Sequence, residues 1–153
     1  MKQEKIAIGS DHGGFALKKV LVPYLKSKKL HVVDVGTFSE ASVDYPDTSY
    51  KVARMVSRGK IPRGILICKS GIGNSIVANK AKGVRAALCY NIKAARLSRM
   101  HNDANILVLG SLFVNPERAK KMIDVWLNTP FEGGRHQRRL EKIERIEGLC
   151  SCR

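Results

Sequence analysis

The chain has 153 residues, of which 44% are apolar, and its 28 lysines and arginines against 13 acidic side chains give a formal charge of +15. This length favours a single domain covering residues 1–153, and the composition excludes disorder and collagen-like repeats. The charge is the unusual feature. A net charge this large indicates a polyanion, an acidic membrane surface or a phosphorylated small molecule as the partner.

The basic residues are spread evenly along the chain. Residues 1–77 hold 13 basic and 6 acidic side chains, and residues 78–153 hold 15 and 7. Nucleic-acid binders more often concentrate charge on one element, so this distribution argues against a nucleic-acid partner. The N-terminus lacks the apolar core of a signal peptide and no 18-residue apolar stretch occurs. We therefore expect a soluble, cytoplasmic protein without membrane contact.

The cysteines predict neither a disulfide framework nor a metal site. Cys68, Cys89, Cys150 and Cys152 are irregularly spaced, and none forms a C-x-x-C pair. Cys89 ends a predicted strand, where we expect a packed core thiol. Cys150 and Cys152 stand in a C-terminal segment, from about residue 148, that we expect to be flexible, and we assign them no role.

Five short apolar runs predict β-strands. These runs cover residues 6–9, 31–36, 64–68, 84–89 and 105–110. Most are rich in Ile, Val and Leu with little alternation, which is typical of strands covered on both faces, and helical segments separate them. We therefore predict an α/β fold, a three-layer α/β/α sandwich with a five-stranded parallel sheet of flavodoxin-like or Rossmann-like type.

Three of the predicted helices carry specific signals. Pro116–Asn128 has apolar residues at helical spacing, with Asn115 as its cap. Gly14–Lys29 contains Pro23 in its interior, which predicts a kink or break. Arg135–Ile146 follows the completed sheet and has apolar residues on one side, so we expect this extra C-terminal helix to pack on a partner subunit.

Ligands of doubly wound sheets collect at the carboxyl ends of the strands, and two candidate clusters follow predicted strands. Asp11 and His12 come after the first strand, where Asp11 is either a helix cap or a functional carboxylate and His12 either faces solvent or contacts a ligand. The third strand ends in Cys68, followed by a glycine-containing turn over residues 69–75. This turn has neither the Walker pattern nor the third glycine of the dinucleotide fingerprint. Its backbone N–H groups can hold an anion or an oxyanion, and Cys68 is either a core residue or a reactive thiolate.

A third cluster is split along the sequence. Residues 99–105 lead into the fifth strand and include His101, which is either structural or catalytic. Arg135 and Arg139 stand at i and i+4 near the start of the last helix. They share one helix face, which is suited to grip a phosphate but is also typical of an ordinary solvated basic face.

Six motifs together resemble the type B ribose-5-phosphate isomerases. In chain order they are G-S-D-H-G-G, V-D-Y-P-D, G-I-L-I-C-K-S-G-I-G, A-N-K, S-R-M-H-N-D-A-N and E-G-G-R-H, and the resemblance spans about residues 5–147. It implies a flavodoxin-like sandwich that works as a homodimer or a dimer of dimers, with sites shared between subunits. The activity it implies is the interconversion of D-ribose 5-phosphate and D-ribulose 5-phosphate through an enediolate, a step of the pentose phosphate pathway.

The resemblance also implies catalytic roles. Cys68 would be the base that moves a proton between C1 and C2, in a positive local potential that favours its thiolate. Ser70 and the backbone N–H groups of Gly71 to Gly73 would stabilise the enediolate oxygen. Asp11 would shuttle protons among the substrate oxygens, and His101 would open the furanose ring.

The remaining implied roles concern binding. Asn102 would hold a substrate hydroxyl group, and His12, Arg135 and Arg139 would bind the phosphate, some of them from the other subunit. The resemblance implies no metal and no cofactor.

Four positions depart from the family pattern. Asn74 stands where some members have a glutamate base, which leaves Cys68 as the candidate base, and Ser70 replaces the commoner threonine. Lys69 is an unusual charge in this turn, and Leu112 replaces a phosphate-binding arginine. Losing one guanidinium contact weakens phosphate binding by about 1.5–3 kcal/mol, which Lys69 would offset if it faces the phosphate.

Leu112 leaves two alternative functions open. The first is the same reaction on a six-carbon substrate such as allose 6-phosphate or galactose 6-phosphate. The second is a non-catalytic module that binds a sugar phosphate or a nucleic acid.

Overall fold

A parallel β-sheet forms the centre of the computed structural model, which describes residues 3–150. Its strands are β1 (Lys5–Ser10), β2 (His31–Asp34), β3 (Arg63–Cys68), β4 (Ala86–Leu88) and β5 (Ile106–Gly110). They lie side by side in the order β2-β1-β3-β5-β4, and every pairing is parallel. The five predicted strands are thus confirmed, with β2 and β4 each shorter than their apolar runs.

Helices cover both faces of this sheet. They are α1 (Phe15–Ser27), α2 (Tyr45–Ser57), α3 (Ile72–Ala78), α4 (Ile92–Asn102), α5 (Pro116–Asn128) and α6 (Arg135–Cys150). Successive strand residues point to opposite faces. Ile65 and Ile67 accordingly pack with α1, α4 and α5, whereas Leu66 packs with α2 and α3. The predicted three-layer sandwich is confirmed.

Helix α1 runs without interruption through Pro23, so the predicted break is wrong. Proline removes one backbone hydrogen bond, but the helix is held by its buried face. Leu17, Leu21 and Leu25 are each at most 5% exposed. Packing of this face offsets the missing bond.

The extra C-terminal helix is confirmed as α6, and it continues through Cys150 into the segment expected to be flexible. Cys152 lies outside the described residues. Among the described helices, none is both long enough and apolar enough to cross a bilayer.

The two ends of the parallel strands, called here the carboxyl edge and the amino edge, carry different residues. Because all strands are parallel, residues that follow a strand lie at the carboxyl edge, and residues that lead into a strand lie at the amino edge. Helix α4 begins after β4 at the carboxyl edge and ends at the amino edge, just before β5. At the amino edge the Asn105 carbonyl accepts from the N–H of Gly64, at the start of β3.

Gly14 holds the start of α1 against β3. A Cβ atom built at Gly14 would lie 2.4 Å from the Ile67 carbonyl oxygen, which belongs to rigid strand backbone. We expect Gly14→Ala to lower the free energy of unfolding by about 2–3 kcal/mol in urea denaturation. Gly148→Ala is the control, because a Cβ there meets no atom within 4 Å and lies in a helix, and its unfolding free energy should not fall. Equal stabilities for the two variants would contradict this assignment.

Candidate active site

The crevice at the carboxyl edge lies between β1 and β3. Ser10 is in register with Ile67, and the Asp11 N–H donates to the Ile67 carbonyl at 3.3 Å. The loop after β1 leads to α1 on one face, while the loop after β3 leads to α3 on the other. Ligands of doubly wound sheets bind where connections diverge in this way. Asp11, His12 and Cys68 therefore stand at the expected place.

Asp11 is a buried carboxylate with one structural duty. It is 8% exposed, and its Oδ1 accepts the Gly14 N–H at 2.9 Å, one residue before α1 begins. Asp11 therefore holds the turn that leads into α1, whose N-cap is Gly14 and which has no side-chain cap. This duty leaves room for a second role, because a carboxylate has more acceptor sites than this one bond uses.

His12 is oriented by the loop between β2 and α2. The backbone N–H of Val43 donates to Nδ1 of His12 at 3.2 Å. In a neutral imidazole with an acceptor at Nδ1, the proton is on Nε2. The half-buried ring can then donate from Nε2 to an anion.

The Cys68 thiol is buried at the end of β3, and its pKa is raised above the ordinary cysteine value. Desolvation is the main cause, and the negative charge of Asp11 acts in the same direction. The backbone N–H groups of Asn74, Gly71 and Ser70 oppose these effects, with Gly71 N at 3.1 Å from Sγ. The expectation of a favoured thiolate is wrong for the free chain, because burial outweighs the local donors.

The turn after Cys68 has a different hydrogen-bond pattern from the one expected. The N–H of Gly71 is directed to the Cys68 sulfur, so it stabilises a thiolate rather than a substrate oxygen. The hydroxyl of Ser70 accepts the Ile72 N–H at 3.2 Å. Gly71 has φ +82°, and a Cβ there would lie 2.5 Å from Leu88 Cδ1. Only glycine therefore fits at this point of the turn.

The sequence reasoning missed one residue at this site, Tyr45, and considered a second, Asn74, only as a departure from the family pattern. Tyr45, the first residue of α2, lies against Gly73, where an added Cβ would be 2.5 Å from the ring. The V-D-Y-P-D motif was the available signal for it. Asn74 is fully buried, and its side-chain N and O atoms have no hydrogen-bond partner among the described residues. No local pattern in the sequence indicated this.

The third cluster lies at the amino edge of the sheet, apart from Cys68. His101 and Asn102 end α4, and Arg135 and Arg139 lie in the first two turns of α6. Both arginines are exposed, and neither forms an ion pair with a described carboxylate. A single chain therefore does not bring the predicted site residues together.

One group in this cluster has metal-ligand chemistry. The ligand atoms of His101, Glu132 and His136 lie within 4.8 Å of one another. The two imidazole rings are stacked, however, with centroids 4.2 Å apart and an angle of 11° between the planes. Nitrogen lone pairs lie in the ring planes, and because these planes are stacked and nearly parallel, the lone pairs of the two rings do not converge on one ion. The group fits a metal poorly.

The raised pKa of Cys68 predicts slow alkylation at neutral pH. In a background with Cys150→Ser and Cys152→Ser, the iodoacetamide rate at Cys68 should rise with a midpoint above that of a free cysteine thiol. Asp11→Asn removes the negative neighbour, so it should lower this midpoint. Peptide mass spectrometry separates Cys68 from Cys89. A midpoint below that of free cysteine would contradict this interpretation.

The fold and the carboxyl-edge crevice define a doubly wound α/β protein with a thiol and a carboxylate at the edge where such sheets bind their ligands. Comparison with known proteins makes this class specific. Residues 6–143 match the model of the Ribose/Galactose Isomerase family, and the chain belongs to that family.

Individual relatives agree with this assignment. Ribose-5-phosphate isomerase B of Escherichia coli is 48% identical over 144 residues, which are 94% of this chain and 97% of that protein. The ribose-5-phosphate isomerase B structure from Clostridium thermocellum superposes with a TM-score of 0.93 at 51% identity, covering 95% of this chain and 98% of the other. The Mycoplasma genitalium isomerase structure with bound ribulose-5-phosphate has a TM-score of 0.92 at 45% identity, with 97% and 99% covered.

Proposed function

We propose that this chain is an aldose–ketose isomerase that interconverts D-ribose 5-phosphate and D-ribulose 5-phosphate, a step of the pentose phosphate pathway. The observation that carries the proposal is the buried Cys68 thiol beside Asp11 in the crevice of a chain from this family. Isomerisation needs a group that removes a carbon-bound proton and returns it to the neighbouring carbon. A cysteine whose sulfur accepts N–H hydrogen bonds can remove the proton as a thiolate and return it as a thiol.

Three proton transfers convert the open-chain aldose into the ketose. The Cys68 thiolate takes the proton from C2 of the open-chain aldose, the C2–H electron pair forms the C1–C2 double bond, and O1 becomes the enediolate oxygen. Asp11 carries the proton of the C2 hydroxyl to O1. The Cys68 thiol then returns its proton to C1, which leaves a hydroxyl group on C1 and the ketone at C2. Ser70 and the Gly73 N–H stabilise the oxygen charge.

A phosphate site is formed by groups from both edges of the sheet. His12 offers Nε2 at the carboxyl edge, while Arg135 and Arg139 stand at the start of α6, whose first turn has no acidic residue. The positive end of the helix dipole lies at the N-terminus, so it repels two cationic side chains placed there. A bound phosphate offsets this repulsion with its negative charge. Asn102, beside His101, holds a substrate hydroxyl group.

Lys69 supplies a further cation at the carboxyl edge. Its side chain lies over Gly13, with Cγ 2.8 Å from where a Cβ of that glycine would be, and Leu112 N–H donates to its backbone oxygen. We expect Lys69→Met to raise KM for ribose 5-phosphate about 10-fold with little change in kcat. Lys121→Met, an exposed lysine on α5, is the control and should leave KM unchanged. An unaltered KM in Lys69→Met would show that Lys69 does not contribute to phosphate binding.

The two halves of the site require a second copy of the chain. The strand β5, five residues long, separates the edges that hold Cys68 and His101, and at 3.3 Å per residue this is about 15 Å or more. A two-fold partner places its own amino edge over the carboxyl edge of the first chain. Each site then takes Cys68 and Asp11 from one subunit and His101, Arg135 and Arg139 from the other.

The surface of the chain is suited to such a partner. On α6, Ile143, Ile146 and Leu149 are 48%, 59% and 74% exposed. A groove of about 750 Å³ lies between α6 and the free edge of β4, and Ile143 and Ile146 contribute to its lining. We propose a homodimer or a dimer of dimers that covers these apolar side chains. The molar mass measured by light scattering distinguishes the two assemblies.

A coupled assay on the purified protein tests the activity. Ribose 5-phosphate should give the highest kcat/KM when it is compared with allose 6-phosphate and galactose 6-phosphate. A higher kcat/KM for a six-carbon substrate would favour the alternative, an isomerase of allose 6-phosphate or galactose 6-phosphate. The observation that supports this alternative is the uncharged Leu112 in place of a phosphate-binding arginine. Binding of ribose 5-phosphate without turnover would instead show a sensor.

A further inference from the structure

A second histidine lies directly behind His101. The ring of His136 is stacked on that of His101, with centroids 4.2 Å apart and planes 11° apart. The side chain of His136 is 6% exposed, whereas that of His101 is 36% exposed. One member of the pair is therefore packed inside the protein, and the other faces the surface.

Glu132 contacts both rings. Its Oε2 lies 3.4 Å from Nε2 of His136 and 3.9 Å from Nε2 of His101. The backbone N–H of Glu132 donates to the Met100 carbonyl at 3.0 Å, which ties this segment to the last turn of α4. The backbone of Glu132 is therefore fixed relative to the helix that carries His101.

The surroundings of His136 favour its neutral form. Burial lowers the pKa of His136, and His101, Arg135 and Arg139 lower it further against the opposing effect of Glu132. His136 therefore presents a flat, uncharged ring behind His101, and the Glu132 carboxylate lies near the Nε2 atoms of both rings.

We infer that His136 and Glu132 are positioning residues for His101, with His136 fixing the plane of its ring and Glu132 fixing the direction of its Nε2 atom. The inference rests on the proposed role of His101 in opening the furanose. In that step the C1–O4 bond breaks with its electrons going to O4. His101 gives its Nε2 proton to O4, and the anomeric hydroxyl loses its proton to water as the C1 carbonyl forms.

The test compares the two directions of the reaction. Ribose 5-phosphate is a furanose in solution, whereas ribulose 5-phosphate has its O5 blocked by the phosphate and its carbonyl at C2, and so has no furanose form. His136→Leu should lower kcat for ribose 5-phosphate about 10-fold and leave kcat for ribulose 5-phosphate within about 2-fold. His136→Phe, which keeps a flat ring on His101, should recover most of the lost rate.

Glu132→Gln provides a second measurement that does not depend on packing. Removing the carboxylate charge takes away the group that lies 3.9 Å from Nε2 of His101, so kcat for ribose 5-phosphate should fall while kcat for ribulose 5-phosphate stays within about 2-fold. His31→Asn, at an exposed histidine that starts β2, is the control and should change kcat in neither direction. Equal losses in both directions for His136→Leu, or an unchanged kcat for ribose 5-phosphate in Glu132→Gln, would overturn the inference.

The His101→Asn variant separates this inference from the function on which it rests. If His101→Asn itself slows both directions equally, the ring-opening role of His101 is wrong. If His101→Asn slows mainly the ribose 5-phosphate direction and the His136 and Glu132 variants do not, the positioning roles alone are wrong.

Discussion

Cys68→Ala is expected to lower kcat for ribose 5-phosphate by about 10³-fold or more, because it removes the only group proposed to take the C2 proton. The neighbouring residues offer no replacement. An amide such as Asn74 does not accept a carbon-bound proton at neutral pH, and Asp11 is proposed to move a proton between the substrate oxygens rather than from C2. The coupled assay measures the loss, and circular dichroism checks that the sheet is intact.

Cys89→Ala is the matched control for this variant. Cys89 is also buried, it follows β4, and burial raises its pKa to about 11. Its thiol therefore stays protonated, and its replacement should cost stability but leave kcat close to the unmodified value. A Cys68→Ala protein that is folded and retains activity within tenfold would assign the base to another group.

Features set by neighbouring residues in the sequence were predictable. Helix α5 begins and ends at the predicted residues because Asn115 caps it, accepting the Arg118 N–H at 2.8 Å, and Pro116 suits the first turn. The strands were predictable from short apolar runs, because a strand that is buried on both faces has apolar residues at nearly every position. Cys89 is a core thiol for the same reason.

Features that depend on distant contacts were not predictable. The pKa of Cys68 is set by its burial and by Asp11, which are brought together only when β1 pairs with β3. The stack of His101 on His136 joins residues on two helices. The insertion of β5 between β3 and β4 is likewise invisible in a local pattern.

The position of the third cluster was partly available from the sequence. Residues 99–105 lead into a strand, so in a parallel sheet they lie at the amino edge, whereas Asp11 and Cys68 follow strands and lie at the carboxyl edge. Joining these residues into one site therefore already requires two chains. The structure adds the apolar surfaces on α6 and beside β4 that a second chain would cover.

Mixed dimers test this shared site directly. Chains with Cys68→Ala and chains with His101→Asn carry different affinity tags, are refolded together, and the mixed dimers are purified by both tags in turn. In such a dimer one site contains both substitutions, while the other combines Cys68 from one chain with His101 from its partner. One intact site of two should give about half of the unmodified activity, far above either parent.

A mixed dimer of Cys68→Ala with Asp11→Asn is the matched control. Both substitutions lie at the carboxyl edge, so each site carries one of them whichever way the chains pair, and the activity should stay as low as that of the parents. If each site were built within one chain, the Cys68→Ala and His101→Asn mixture would also show only the average of its parents. Recovery in the first mixture without recovery in the second therefore requires that Cys68 and His101 reach the same substrate from different subunits.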